Sequence, residues 1–198
     1  CGTLFPYTTL FRSKAGHKGV PCDDGGGITQ SIFLLSSDRK NVRRLTFDQD
    51  HDWHPAVMND GQIMYTRWDY TDAHHYYARL LFSMNPDGSL QLPLYGSNAY
   101  FPNGKFYSRP IPWQDSRIMT VEMGHVEPIG RTGRLLLLDL DLDDQGEEGV
   151  VQAVPNKDAK IESHANMLPI RNFHAPRYTE PWPLHDAEDP RGTGKYFL

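Results

Sequence analysis

The 198 residues are 38% hydrophobic and 12% aromatic, enough apolar material to bury the core of one domain. A formal charge of -5 excludes the concentrated basic face that a nucleic-acid surface needs. No apolar run approaches the ~20 residues of a membrane-spanning helix; the nearest, LLLLDLDL (135–142), is broken by Asp139 and Asp141.

Along the chain, CGTLFPYTTLFRS (1–13) comes first and carries no period that continues into residue 14 and beyond. Leu4 to Ser13 match the translation of a common short-read sequencing adapter. Residues 1–13 are therefore expected to be non-native and are set aside from fold reasoning. KAGHKGVPCDDGGGITQ (14–30) is polar and Gly-rich, a predicted loop or linker. The two cysteines, Cys1 and Cys22, give no CxxC, CxxCH or zinc-ribbon spacing. SIFLLS (31–36) is a predicted strand, and the chain's main basic cluster, Arg39-Lys40 with Arg43-Arg44, lies just beyond it. HDWHP (51–55) is predicted to be the loop into the next unit. IMYTRW, after the turn signal Asp60-Gly61, and RLLFSM (79–84) are predicted strands. Asn85-Pro86-Asp87-Gly88 is a turn, and LQLPLYG (90–96) is a weaker strand whose Pro93 suits only an edge. SRIMTVEM (116–123), RLLLLDLD (134–141) and GVVQAV (149–154) complete the set. No sustained helical stripe occurs, so the chain is predicted to be all-β.

Internal repetition selects among all-β architectures. HPAVMNDGQIMYTRWD aligns with RPIPWQDSRIMTVEMG, placing Pro55 on Pro110, Asp60 on Asp115 and Ile63-Met64 on Ile118-Met119. RLLFSMNPDG (79–88) falls on RLLLLDLDLD (134–143) at the same offset, and a degraded third copy begins at EPWPLHD (180–186) and resumes at KYFL (195–198). Each unit reads as a four-stranded antiparallel sheet, the blade of a propeller. Residues 31–198 are thus predicted to form a partial β-propeller, about two complete blades plus fragments, truncated at its C-terminal end.

Histidines and charges mark the candidate sites. His51 and His54 sit three apart around Asp52. That spacing suits a metal with an Asp oxygen as third ligand, or side chains hydrogen-bonding a turn, which is favoured. His74 and His75 lie in the insertion after the strand ending at Trp68. His125 and Arg131 lie in the matching loop of the next unit, and Arg109 aligns with His54. Loops on one face of a propeller gather around its channel, so these residues form one candidate ligand face. Arg67 and Asp69, two apart on a strand, point the same way and are predicted to pair between blades. There is no G-x-S-x-G elbow, and GGGITQ (25–30) lacks the Gly-Lys-Ser/Thr ending of a phosphate loop. DLDLDD (139–144) reads as a strand entering a solvated turn more than as a calcium site.

The stretch RRLTFDQDHDWHPAVMNDGQIMYTRWD together with LLFSMNPDGS resembles the WD40-like (PD40) repeat of TolB-type propellers. The matching elements are Leu45-Thr46, the acidic stretch Asp48 to Asp52, Pro55, Asp60-Gly61, Ile63 to Thr66, and Asn85 to Gly88. The run from YTRWDY through YGSN, then RPIP and GH…GRLLL, resembles the propeller middle domain of hydrazine synthase alpha subunits. The resemblance covers residues 31–154. It implies a non-catalytic scaffold or binding piece of a larger periplasmic or secreted protein. Its partners would be other domains of the parent chain or protein subunits, with no nucleic acid and no membrane span. Haem c would reside in other parts of the parent and none here. Two alternatives stay open: a portion of a haem-dependent redox enzyme, and a metal-dependent hydrolase using His51 and His54.

Overall fold

A computed structural model of the chain describes residues 9–13, 29–68, 79–96, 104–123, 132–154 and 178–184. These form eleven strands: β1 (Thr9–Ser13), β2 (Ser31–Leu35), β3 (Val42–Arg44), β4 (Asp52–Val57), β5 (Ile63–Trp68), β6 (Arg79–Met84), β7 (Leu92–Tyr95), β8 (Gly104–Ile111), β9 (Gln114–Met123), β10 (Arg134–Asp139) and β11 (Val150–Val154). They build three antiparallel sheets. The first has the order β1-β2-β3, the second β4-β5-β6-β7, and the third β8-β9-β10-β11. β1 belongs to the segment that the adapter match sets aside; here it pairs with β2 from Thr9↔Leu35 to Ser13↔Ser31.

The sheets stack face to face, which explains the composition of their middle strands. All six residues of β5 and all six of β6 are buried. A strand covered on both faces reads as a continuous apolar run. Alternate side chains serve alternate neighbours. Ile63 and Tyr65 pack with Ile32, Leu45, Phe82 and Met84 against the first sheet. Met64 joins Leu81, Tyr95, Ile118, Leu136 and Leu138 against the third. Prolines occupy only outer strands of the four-stranded sheets: Pro55 in β4, Pro93 in β7 and Pro110 in β8. There a missing N–H costs no interior ladder bond.

In the first and second sheets the corners leading into the last strand share one design. In the second sheet Gly88 N–H donates to Asn85 O at 2.9 Å and Asp87 Oδ1 accepts from Ser89 N–H, with Gly88 at φ +85°. In the first sheet Asp38 Oδ1 accepts from Lys40 N–H in the same way, and Arg39 holds the left-handed position at φ +59°.

Structure and repeat alignment differ in three places. HDWHP is not a loop: Asp52 to Val57 is strand β4, interrupted by a bulge between Trp53 and Ala56. β8 carries the same bulge between Phe106 and Arg109. Trp53 faces Thr66 and Phe106 faces Val121, so Trp53 corresponds to Phe106, His54 to Tyr107 and Pro55 to Ser108. The expected match of Pro55 with Pro110 and of His54 with Arg109 is off by two residues. The β8–β9 hairpin continues to Ile111↔Gln114 and takes up the difference. On the far side, Leu80 pairs with Arg67 while Arg134 pairs with Glu122. Leu80 therefore corresponds to Arg134, not to Leu135. That one-residue slip exchanges the two faces of the strand. Of the third copy, only 178–184 is described. Tyr178 bridges Gly133 there, and KYFL lies outside the described residues.

Candidate functional site

The bulge sets the innermost strands. His54 and Tyr107 take φ +51° and +53°, values that L residues adopt only when surroundings hold them. Their rings meet at 4.2 Å between centroids. His54 also meets Phe106 edge-on, and Phe106 packs on Trp53 at 5.6 Å. Trp53 stacks on His51 at 5.2 Å, and His51 stacks on Trp68. The two histidines thus belong to one aromatic column running from the second sheet to the third. His51 Nδ1 accepts from Gln30 N–H at 3.0 Å. Among the described residues, no group of three or more His, Cys, Asp or Glu is placed to hold a metal ion.

Below the column, each junction between sheets encloses a charged cluster. Between the first and second sheets Arg67 is the hub. Its Nε donates to Asp52 Oδ1 at 3.2 Å, and its Nη2 lies within hydrogen-bonding distance of Asp48 Oδ2, Gln91 Oε1 and Tyr65 Oη. The guanidinium also covers the Phe82 ring at 4.5 Å. Asp52 is wholly buried; desolvation first, then the nearby Asp48 charge, push its carboxyl up to about 7. The predicted Arg67–Asp69 pair cannot be compared, because Asp69 lies outside the described residues.

Between the second and third sheets the signs are exchanged. Glu122 stands where Arg67 stands, and Lys105 where Asp52 stands. Arg134 grips Glu122 through Nη2 at 2.6 Å and Nε at 2.8 Å. Lys105 is fully buried, with Nζ 5.8 Å from the Tyr95 ring centroid; burial lowers its ammonium to about 8 against the pull of Glu122. Arg67 thus meets two carboxylates, whereas Glu122 is drawn to two cations, Arg134 and Lys105. These groups brace the blades.

Arg109 stands apart from both clusters. It lines a cleft of about 500 Å³ with Pro55, Val57 and Asn59 from the second sheet's inner hairpin, Pro110, and Trp182. Its guanidinium lies over the Trp182 ring at 5.0 Å, and Trp182 is 57% exposed. Burial lowers the Arg109 pKa, and Glu180 opposes that shift. The cleft lies where β4 and β8, the innermost strands, come together, and Thr9 and Leu10 of β1, from the segment set aside above, form part of its wall. The predicted ligand face is described in part: His51, Asp52 and His54 pack among neighbouring side chains, Arg109 lines the cleft, and His74, His75, His125 and Arg131 lie outside the described residues. Sequence reasoning missed Gln91, Lys105, Glu122 and Trp182. The available signal was a lone charge inside otherwise apolar strands, IMYTRW and IMTVEM.

This geometry defines an all-β protein of stacked four-stranded antiparallel blades, a partial β-propeller. No protein family and no curated protein matches the chain. Among solved structures it is similar to one described as a TolB from Agrobacterium tumefaciens, with a TM-score of 0.44 and 18% identity over 57% of this chain and 38% of that one. It is also similar to TolB from Acinetobacter baumannii, with a TM-score of 0.44 and 12% identity over 68% of this chain and 28% of the other. The chain spans well under half the length of either.

Proposed function

We propose that this chain is a non-catalytic binding scaffold within a larger protein of the hydrazine synthase alpha type, and that the cleft around Arg109 receives another domain or subunit of that assembly. One observation carries the proposal: the buried charges brace blades, whereas Arg109 and the exposed Trp182 face a cleft. An exposed tryptophan beside an arginine is the residue pairing that interface hot spots favour. No helix among the described residues is long and apolar enough to cross a membrane. A periplasmic or secreted location is part of the proposal and follows from the sequence resemblance. Haem c needs two cysteines and a histidine in CxxCH; Cys1 and Cys22 do not fit it, so no step through haem is assigned to this chain.

The test is to express the remainder of the parent open reading frame separately and titrate it with this chain by calorimetry. Binding weakened about tenfold or more by Arg109→Ala or Trp182→Ala is expected. Absence of binding, or binding indifferent to both substitutions, overturns the proposal.

A further inference from the structure

We infer that the face carrying the corners that lead into each sheet's last strand is a homodimer surface, occupied by a second copy of this chain. The three corners differ in chemistry. In the first sheet, Arg39 and Lys40 are exposed in the corner and Arg43 just beyond it. In the second, Leu90 is 57% exposed and Leu92 50%. In the third, residues 140–149 expose Asp141, Asp144 and Glu148 around Leu142, itself 61% exposed.

Hydrogen bonds fix the order of these corners. Arg43 Nη2 donates to Asp87 O at 2.7 Å, tying the basic corner to the apolar one. Gly96 N–H donates to Asp144 O at 2.7 Å and Tyr95 Oη to Gly146 O at 2.9 Å, tying the second sheet to the acidic corner. The face therefore reads basic, apolar, acidic across three neighbouring sheets. Such a stripe is complementary to itself: a twofold axis through the Leu90 corner sets each copy's basic corner on the other's acidic corner and leucine against leucine. Leu90 is held at φ +54°, a conformation that costs energy and keeps an apolar side chain in solvent. Two carboxylates sit in the basic and apolar corners, and both serve their own turns. Asp38 accepts from Ser36 Oγ and Lys40 N–H, and Asp87 from Ser89. With a net charge of -5, two copies repel on average, and this orientation sets opposite charges against each other to offset that repulsion.

Sedimentation equilibrium of the whole chain tests the inference. The wild type is expected at twice the chain mass at low salt and to dissociate as salt rises. Arg39→Glu with Lys40→Glu, and separately Asp144→Lys with Glu148→Lys, are each expected to be monomeric. Their equimolar mixture is expected to re-form a dimer, which two misfolded variants would not do. Leu92→Glu is expected to weaken the wild-type dimer about tenfold. A wild type that is monomeric at low salt overturns the inference. So does self-association unmoved by salt and by both charge reversals, which would indicate pairing at open strand edges.

Discussion

His54 and Tyr107 occupy the same position in consecutive blades and touch each other, ring to ring at 4.2 Å, each in a left-handed backbone conformation inside a bulge. A ring contact between equivalent positions links the two inner strands directly. Replacing either by Ala is expected to cost ~1–2 kcal/mol, with a coupling of about 0.5–1.5 kcal/mol in a double-mutant cycle by urea unfolding. A coupling near zero would show that the rings merely sit side by side.

The same aromatic column makes a statement about metal. With His51 Nδ1 taken by Gln30 and His54 packed between Phe106 and Tyr107, zinc is expected to shift the melting temperature no more in the wild type than in His51→Ala with His54→Ala. Metal analysis after dialysis against zinc checks this. Stoichiometric zinc lost in His51→Ala with His54→Ala would favour the hydrolase alternative.

Arg67 is the only cation that the described structure shows bonded to buried Asp52. At pH 9, where Asp52 is ionised in the wild type, Arg67→Met removes the partner of that buried carboxylate and is expected to cost ~3–5 kcal/mol. Arg67→Met with Asp52→Asn is expected to recover much of the loss, since the stranded charge is gone. Urea denaturation of the single and double variants measures both; a double variant as unstable as the single would refute this role for Arg67.

Acidity gives a second view of that cluster. Asp52 has a folded pKa near 7 against 3.8 unfolded, so between these values the folded state holds more protons. Its contribution is complete at low pH and is lost as pH rises toward 7. Lys105 has a folded pKa near 8 against 10.5, so its burial penalty is relieved as pH rises from 8 to 10.5. Together they predict a shallow stability minimum near pH 7–8. In thermal melts across pH, Asp52→Asn is expected to flatten the acid side and Lys105→Met the alkaline side. An unchanged profile in both variants would contradict the assignment.

Gly133 tests the packing of β10 on β9. A Cβ there would fall 1.9 Å from Glu122 O, a backbone atom that cannot step aside. Gly133→Ala is expected to cost about 3 kcal/mol or more, read from its urea midpoint. A loss under about 1 kcal/mol would mean that the two strands are less tightly held than the pairing of Arg134 with Glu122 implies.

Much of this fold is legible in the sequence because the middle strands are mostly apolar. β5, β6 and β10 fall within predicted runs, and β9 begins two residues before its own. The inner strands are not, since DWHPAV and GKFYSRPI mix proline, charge and aromatics around a bulge that no period reveals. The repeat is visible, yet its register is not: RLLFSM and RLLLLD match best by residue type at an offset that faces Leu80 and Leu135 in opposite directions. Burial, which sequence alone does not display, settles which leucine looks which way. Arg67 and Glu122 hold corresponding places with opposite charges, so residue matching cannot recognise them as one site. Arg109 is singled out by its alignment with His54; the structure gives it a different counterpart, Ala56.

The bonds from Arg43 to Asp87 and from Tyr95 to Gly146 fasten the last strands of the first and second sheets to the corner of the next sheet in the stack. Tension applied at one end of the chain would then pass across the stack before any single sheet tears. Pulled mechanically, the stack should give way as a fabric does, over several courses at once, instead of shedding one sheet at a time.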